Sequence, residues 1–176
     1  MLKRLSLAMA ALLIVPSFAR ADGPNIARDA GPFELTLSGS GQNDNKFNNG
    51  GFTLGGSFGW FFTPNFELFG RDTVTYNDAG GGSAYSNNAR AGVDFHLNFD
   101  RIQPFIGGNI GYVSGDFVAD TPTAAPEGGV KIFLGEHTFL LAMVEYDFFW
   151  HAGNNGVTST AQHGQFVYNI GLGFRF

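Results

Sequence analysis

The C-terminal segment shows the clearest pattern of apolar and polar positions in the chain. Over residues 165–176, large apolar side chains occupy every second position, and the positions between them are mostly small or polar. The apolar positions are Phe166, Tyr168, Ile170, Leu172, Phe174 and Phe176. Period-two alternation predicts a β-strand, but strands of soluble proteins usually have about 5–6 residues. A strand of about 9–11 residues is the length that a tilted crossing of a lipid bilayer requires.

The same alternation recurs along the rest of the chain. It predicts further strands at residues 33–40, 51–62, 66–76, 89–99, 105–113, 128–134 and 139–150. The third of these eight strands is the least regular, because Asp72 shares the parity of its apolar positions. Charge on a lipid-facing side costs most at the bilayer midplane, so Asp72 implies a bulge or a position near the interface.

Charged residues test which face of each predicted strand points outward, because the outward faces are assigned from apolar residues alone. Within the predicted strands, every charged residue except Asp72 has the inward parity. These inward residues are Glu34, Glu67, Arg71, Arg90, Asp94, Lys131, Glu145, Asp147 and Arg175. Their opposite charges nearly cancel, which predicts a structural network of ion pairs inside the barrel. Eight strands enclose a lumen just wide enough for side chains to fill.

The connections between the predicted strands alternate in length, as transmembrane barrels require. Short turns are predicted at 63–65, 100–103 and 135–137, and longer polar loops at 42–49, 77–88, 114–126 and 152–164. The sequence therefore predicts an all-β, eight-stranded, antiparallel, up-and-down transmembrane β-barrel with both termini in the periplasm. Arg175 is then expected at the periplasmic end, where water is close.

The N-terminus has the layout of a secretory signal peptide. Lys3 and Arg4 precede an apolar run at residues 5–15, and a small-x-small motif ends at Ala21. The run is shorter than the roughly 20 residues that a membrane-spanning helix needs. We predict a signal peptide at residues 1–21, cleavage between Ala21 and Asp22, and an outer-membrane barrel domain at residues 22–176.

Composition excludes several other classes of protein. The chain of 176 residues has no cysteine, 26 glycines, 20 phenylalanines and a formal net charge of −5. A chain without cysteine has no disulfide scaffold and no thiol catalysis. An acidic chain also lacks the basic surface of a nucleic-acid-binding protein, so we expect no nucleic-acid partner.

Three stretches of the sequence resemble a known family. They are PFIGGNIGYVSGD at residues 104–116, APEGGVKIFLGEHTFLLAMVEYDFFW at 125–150 and VYNIGLGFRF at 167–176. All three are similar to the small outer-membrane β-barrel family, which includes the membrane domain of outer-membrane protein A and the smaller outer-membrane protein X. The resemblance implies contact with outer-membrane lipid and lipopolysaccharide. The terminal Phe176 also resembles the signal that the barrel-assembly machinery reads during biogenesis.

Three classes of function fit such a barrel. The first is a structural or adhesion-type role, in which the extracellular loops contact a partner that the sequence does not name. The second is a narrow pore for small solutes, because inward-facing glycines leave side-chain volume missing from the lumen. The same glycines also relieve crowding and let strands bend. The third is a lipid-modifying enzyme.

The histidines argue against the enzyme. Lipid A deacylases carry an F-x-H-x-S arrangement, and none of His96, His137, His151 and His163 stands in one, so a nucleophile and base at the required spacing are missing. Lone histidines in loops are usually solvated. His151 and His163 flank the last outer loop, but two histidines are fewer than the three or four ligands of a usual zinc site. We expect no catalytic residue, no metal and no cofactor.

Overall fold

The described residues of the computed structural model, 25–43, 50–79, 82–116, 120–150 and 164–176, fold almost entirely as strands. The elements are α1 (Ile26–Asp29), β1 (Phe33–Asn43), β2 (Gly50–Thr63), β3 (Phe66–Ala79), β4 (Gly82–His96), β5 (Ile102–Gly115), β6 (Thr121–Phe133), β7 (Thr138–Phe149) and β8 (Gln165–Arg175). Residues 1–24, with the predicted signal peptide and its cleavage site, lie outside the described residues.

Each strand pairs antiparallel with the next, and β8 pairs back with β1, so the sheet closes into a barrel. At the closing seam Glu34 lies opposite Arg175, and Leu37 lies opposite Leu172. Closure leaves no edge strand with unsatisfied backbone groups, which is the condition for a sheet in lipid. The eight-stranded, antiparallel, up-and-down barrel predicted from the sequence is confirmed.

The outward face of the barrel is mostly apolar on every strand. Ile106, Ile110 and Ile170, near the middle of their strands, are 68%, 67% and 73% exposed. Soluble monomers rarely expose a continuous apolar patch larger than a few hundred Å². An outward apolar band flanked by aromatic side chains is instead typical of a barrel whose outer face contacts lipid.

The two ends of the barrel differ, and we name them by their connections. The turn end carries the short connections at residues 64–65, 97–101 and 134–137. The loop end carries the connections at residues 44–49 and 150–164. Exposed aromatic side chains ring both ends. Those at the turn end include Trp60, Phe62, Phe66, Phe95, Phe99, Phe174 and Phe176, and those at the loop end include Phe52, Tyr85, Tyr112, Phe148, Trp150, Phe166 and Tyr168.

Two of the predicted long loops consist mostly of strand. In the predicted loop 77–88, the pairing of β3 with β4 continues to Ala79 opposite Gly82. The predicted loop 114–126 shortens to residues 116–120, because β6 begins at Thr121. Polar and glycine-rich composition indicated loops there, but backbone hydrogen bonds continue the strand pairs beyond the apolar band. Most of the other two predicted loops, 42–49 and 152–164, lies outside the described residues.

Asp72 faces outward, but the expected bulge is absent from this part of β3. Asp72 lies opposite Gly56 and Ala89 in regular register, near the middle of the strand rather than at its end. The Asn87 side chain donates a hydrogen bond of 2.8 Å to Asp72 Oδ1. A neighbouring polar side chain therefore binds this carboxylate. The regular register excludes the predicted bulge, and a position near the interface stays a prediction.

Helix α1, which the sequence reading did not predict, lies at the turn end. Asn25 caps it, because the Asn25 side chain accepts a hydrogen bond from the backbone N–H of Arg28. The Ala27 backbone N–H donates to the carbonyl of Asp100 at 2.8 Å, and both Ala27 and Ala30 are buried. Within the described ranges, no helix has the length and apolarity of a membrane span.

Candidate functional site

Two layers of charged and polar side chains fill the lumen, and all nine residues of the predicted interior network lie in them. The loop-side layer consists of Arg71, Arg90, Asn109, Glu127, Glu145 and Asp147. The turn-side layer consists of Glu34, Glu67, Asp94, His96, Lys131 and Arg175. The period-two geometry of the strands puts these positions on one face, and barrel closure turns that face inward.

In the loop-side layer, Arg90 on β4 binds carboxylates on the opposite wall. Its two terminal nitrogens donate to the two oxygens of Asp147 on β7 at 2.7 and 2.8 Å. Arg90 Nη1 also lies 3.0 Å from Glu145 Oε2. A planar guanidinium that donates two parallel hydrogen bonds to one carboxylate is among the strongest ion-pair geometries in proteins.

Arg71 completes this layer from β3. Its Nη1 donates to Glu127 at 3.0 Å and to Glu145 at 3.1 Å, and Asn109 donates to Glu127 at 2.7 Å. The sequence did not assign Glu127 to the lumen, because the sixth strand was predicted to begin at Gly128, one residue after it. The signal was present, since Glu127 shares the parity of Lys131.

In the turn-side layer, Lys131 on β6 reaches across the lumen to two carboxylates. Its Nζ donates to Glu34 at 2.6 Å and to Glu67 at 2.8 Å. The rings of Phe61 and Phe105 lie 5.4 and 5.6 Å from the same nitrogen. The ammonium group is thus held by two opposite charges and by aromatic faces, which offsets part of the cost of burying it.

His96 lies fully buried in the same layer. Its ring lies between those of Phe61 and Phe105, at centroid distances of 4.9 and 5.3 Å, and its Nε2 lies 2.9 Å from Glu67 Oε2. The inward parity of His96 on the fourth predicted strand agrees with this burial. His137 is exposed at the turn end, where its Nδ1 lies 2.9 Å from the Arg175 carbonyl. His151 and His163 lie outside the described residues.

Arg175 faces the lumen but not water, and the N-terminal segment is the reason. Its Nη1 donates to the carbonyl of Ala27 at 2.6 Å, and its Nε donates to the carbonyl of Gly31 at 2.7 Å. Its guanidinium lies 3.5 Å from the centroid of the Phe61 ring, and the residue is 1% exposed. The expectation of nearby water is wrong, because α1 covers this end of the lumen.

Gln103, predicted in a turn, also lies in the lumen. It is fully buried near the start of β5, and its side-chain amide donates to Asn98 Oδ1 at 2.5 Å. Beside it, Ala27, Ala30 and Phe139 belong to an apolar cluster that fills the turn end. The N-terminal segment and these side chains close the lumen at this end.

The described lumen has an excess of negative charge. Four basic groups, Arg71, Arg90, Lys131 and Arg175, face six acidic groups, Glu34, Glu67, Asp94, Glu127, Glu145 and Asp147. Because Glu127 joins the predicted set, the formal excess is two negative charges rather than one. An uncompensated charge is costly in a buried site, so each of these groups needs a partner.

Comparison with known proteins finds solved structures with the same architecture. No family model and no curated sequence matches the chain. Among solved structures, Neisserial surface protein A matches with a TM-score of 0.59 and 12% identity, over 82% of this chain and 95% of that chain. The N-terminal β-barrel domain of Pseudomonas aeruginosa OprF matches with a TM-score of 0.55 and 15% identity, over 83% and 98%. The outer membrane protein Ail of Yersinia pestis matches with a TM-score of 0.51 and 15% identity, over 82% and 99%.

The chain has the fold of a small outer-membrane β-barrel. The fold implied by the sequence resemblance is thereby confirmed. Sequence identities of 12–15% relate these proteins by fold alone, and a shared fold does not determine function.

The ion pairs of this small outer-membrane barrel fold connect opposite walls. Lys131 on β6 joins β1 and β3, and Arg90 on β4 joins β7. Such contacts hold strands at fixed distances across the lumen. In the described part of the lumen, the charged groups contact one another, aromatic rings and main-chain carbonyls.

Proposed function

We propose that this protein is an integral outer-membrane barrel with a structural, surface-interaction role, and that it is not an enzyme. Its filled lumen serves as a rigid support, and the segments at the loop end contact partners outside the cell. The observation that carries this proposal is the set of buried ion pairs that spans the lumen, together with the N-terminal segment that closes its turn end.

Outer-membrane placement is supported by the separation of apolar and charged faces. The outward band is the surface that lipid and lipopolysaccharide would contact, and the charged residues point away from it. In this proposal the turn end and both termini lie in the periplasm, after removal of a signal peptide at residues 1–21. Phe176 would be the residue that the barrel-assembly machinery reads. Its backbone pairs with Phe33 through hydrogen bonds of 2.8 and 2.9 Å, and its side chain is half exposed.

Two observations favour a surface role: the rigidity of the filled barrel and one of the structural matches. Loops on a rigid scaffold are where binding residues usually lie. Neisserial surface protein A, which shares the fold, is named as a surface protein. In the present chain, residues 150–164 form the longest segment between two strands and are the first candidate for contact with a partner.

The narrow pore remains the second candidate, and the inward glycines are the observation that suggests it. Their space, however, is taken by neighbouring side chains rather than left open. A β-carbon on Gly59 would meet the Glu67 carboxylate, one on Gly107 would meet Asp94, and one on Gly173 would meet the Phe139 ring. These glycines therefore make room for the charged and aromatic groups of the lumen, which favours the closed scaffold.

Conductance in planar bilayers separates the scaffold from the pore. We expect the full mature chain, reconstituted from detergent, to give no steady openings above the baseline of the bilayer. A large porin inserted into the same membrane controls for sensitivity. Stable single-channel openings of the mature chain would overturn the closed-lumen proposal and select the pore.

Shortening the longest loop tests the surface role. The full chain and a variant in which residues 152–162 are replaced by a short Gly-Ser turn would be expressed in the outer membrane of the same bacterial host. We expect only the full chain to increase adherence of these bacteria to a cultured epithelial monolayer. Both proteins must be heat-modifiable on gels, which shows that the barrel is folded. Equal adherence of the two strains would show that this loop does not mediate the contact.

A further inference from the structure

Asp94 is a buried carboxylate whose charge lacks a basic partner. It is 3% exposed, and its Oδ1 accepts no hydrogen bond. Among the six acidic groups that the described residues place in the lumen, it alone forms no ion pair with a lysine or arginine. A buried ionised group without compensation is strongly unfavourable, so Asp94 requires a positive species close to it.

His96, two positions further along β4, also lacks hydrogen-bond partners. It is fully buried, yet neither of its ring nitrogens makes a hydrogen bond. Its Nε2 lies 2.9 Å from Glu67 Oε2, but the ring is turned so that this contact lacks hydrogen-bond geometry. Buried polar groups are nearly always satisfied, and those that are not call for an explanation such as a bound ion.

The three side chains converge at one point of the lumen. One ligand atom each from Glu67, Asp94 and His96 lies within 4.8 Å of the others, and all three residues are buried. Two ligands that each lie about 2.0–2.2 Å from a zinc ion, at tetrahedral or octahedral angles, are about 3–3.5 Å apart. The His96–Glu67 distance of 2.9 Å is already near this range, and the Asp94 oxygen would move closer when a metal ion binds.

We propose that Glu67, Asp94 and His96 form a binding site for a divalent metal ion of the zinc class inside the barrel. One imidazole nitrogen with two carboxylates suits Zn²⁺ or Co²⁺, whereas Mg²⁺ and Ca²⁺ prefer oxygen ligands alone. A water molecule would complete a four-coordinate site. The metal ion would give Asp94 its counter-charge and His96 its missing partner.

The charges around the site accommodate such an ion. The described lumen as a whole has a formal excess of two negative charges, which the two positive charges of the ion would cancel. Lys131 keeps its 2.6 Å contact with Glu34 when Glu67 turns toward the metal. Because the site is buried behind α1, we expect the ion to enter while the barrel folds.

A proton is the competing explanation for Asp94. A carboxyl group that is buried without a basic partner favours its neutral, protonated form. That proton removes the charge on Asp94 but leaves both nitrogens of His96 without a partner. Metal binding accounts for both residues, and the two explanations make different predictions for a metal titration.

The test uses Co²⁺, whose visible absorption reports its ligands. The mature chain carrying His137→Ala, His151→Ala and His163→Ala keeps His96 as its only histidine. We expect this protein, refolded in detergent with Co²⁺ and then desalted, to retain one equivalent of metal with the absorption of a site containing one nitrogen ligand. Zn²⁺ added during refolding should compete with Co²⁺.

Variants of the site and a matched control complete the test. Starting from that protein, His96→Gln and Asp94→Asn should each weaken binding by at least about tenfold. Asp147→Asn removes a buried carboxylate of the loop-side layer and should retain the metal. Heat-modifiable mobility on gels shows which variants are folded.

Two results would overturn the metal site. The first is a folded protein with His96 intact that retains no Co²⁺, which would leave the proton as the neutraliser of Asp94 and does not depend on any site variant folding. The second is metal binding that His96→Gln leaves unchanged, which would place the ion elsewhere in the chain.

Discussion

Single residues of the lumen differ in how many partners each charge has, and this sets the cost of removing them. Arg90 contacts both Asp147 and Glu145, and all three are buried. Removing the arginine leaves buried carboxylates whose attraction to it had offset their desolvation. Removing a buried pair together avoids this penalty, because no uncompensated charge is left.

A double-mutant cycle on Arg90 and Asp147 tests this account. We expect Arg90→Met to destabilise the barrel by about 3–5 kcal/mol, and the double variant Arg90→Met/Asp147→Leu to recover much of that loss. Reversible urea unfolding in lipid vesicles measures both. Arg28→Met is the control, because Arg28 forms an exposed ion pair with Asp29 and should cost less than about 1 kcal/mol. A double variant that loses the sum of the two single losses would contradict the expected coupling.

Arg175 is a residue for which the structure changes the expected effect of a mutation. Its parity alone suggested a water-exposed end, where replacement by glutamine would cost little. Instead it donates to two main-chain carbonyls of the N-terminal segment. Hydrogen bonds from a charged group contribute about 1.5–3 kcal/mol each. We therefore expect Arg175→Gln to cost about 3 kcal/mol or more in the same unfolding assay, and a loss below about 1 kcal/mol would show that the segment does not depend on Arg175.

Among the elements, the strands were predictable where their outward side chains form the apolar band, and less predictable beyond it. In β8 every outward position is large and apolar, so both its length and its faces could be predicted. The hairpin of β3 and β4 has no such alternation near Ala79 and Gly82. Its outward side chains there lie beyond the apolar band and need not be apolar. Helix α1 was missed for a different reason, since four residues are too few to show helical periodicity.

Helix α1 is the element that closes the turn end, and its docking can be tested by labelling. The chain has no cysteine, so Gln103→Cys introduces a single thiol at a fully buried lumen position. We expect slow reaction with a water-soluble maleimide. Adding Ala27→Trp should accelerate labelling, because Ala27 is fully buried and a large ring would undock the helix.

Two controls define the labelling experiment. Arg28→Trp, on the exposed side of α1, should leave the reaction slow. Glu136→Cys, in an exposed turn, should react quickly in every background. If Gln103→Cys already reacts as quickly as Glu136→Cys with α1 intact, the N-terminal segment does not close the lumen.

For the whole molecule, the sequence predicted which side chains face inward but not how they meet. Parity placed Asp94 and His96 on the inward face of β4 and Glu67 on that of β3. Their convergence depends on barrel closure and on the relative positions of β3 and β4, which bring Glu67 opposite Asp94. The lack of partners for Asp94 and His96 depends on side-chain orientation, for which a single sequence has no signal.

The central claim is that lipid contacts the outward face while the charged and aromatic inward face is shielded from it, and tryptophan quenching tests this most directly. The chain has two tryptophans, Trp60 and Trp150, which Trp60→Phe and Trp150→Phe remove. In that background, Leu68→Trp and Phe69→Trp place the probe at adjacent positions of β3, the first 46% and the second 5% exposed. In vesicles of lipids brominated along their acyl chains, we expect strong quenching of Leu68→Trp and little quenching of Phe69→Trp. Equal quenching of the two, or stronger quenching of Phe69→Trp, would contradict the assignment of the two faces and with it the membrane barrel.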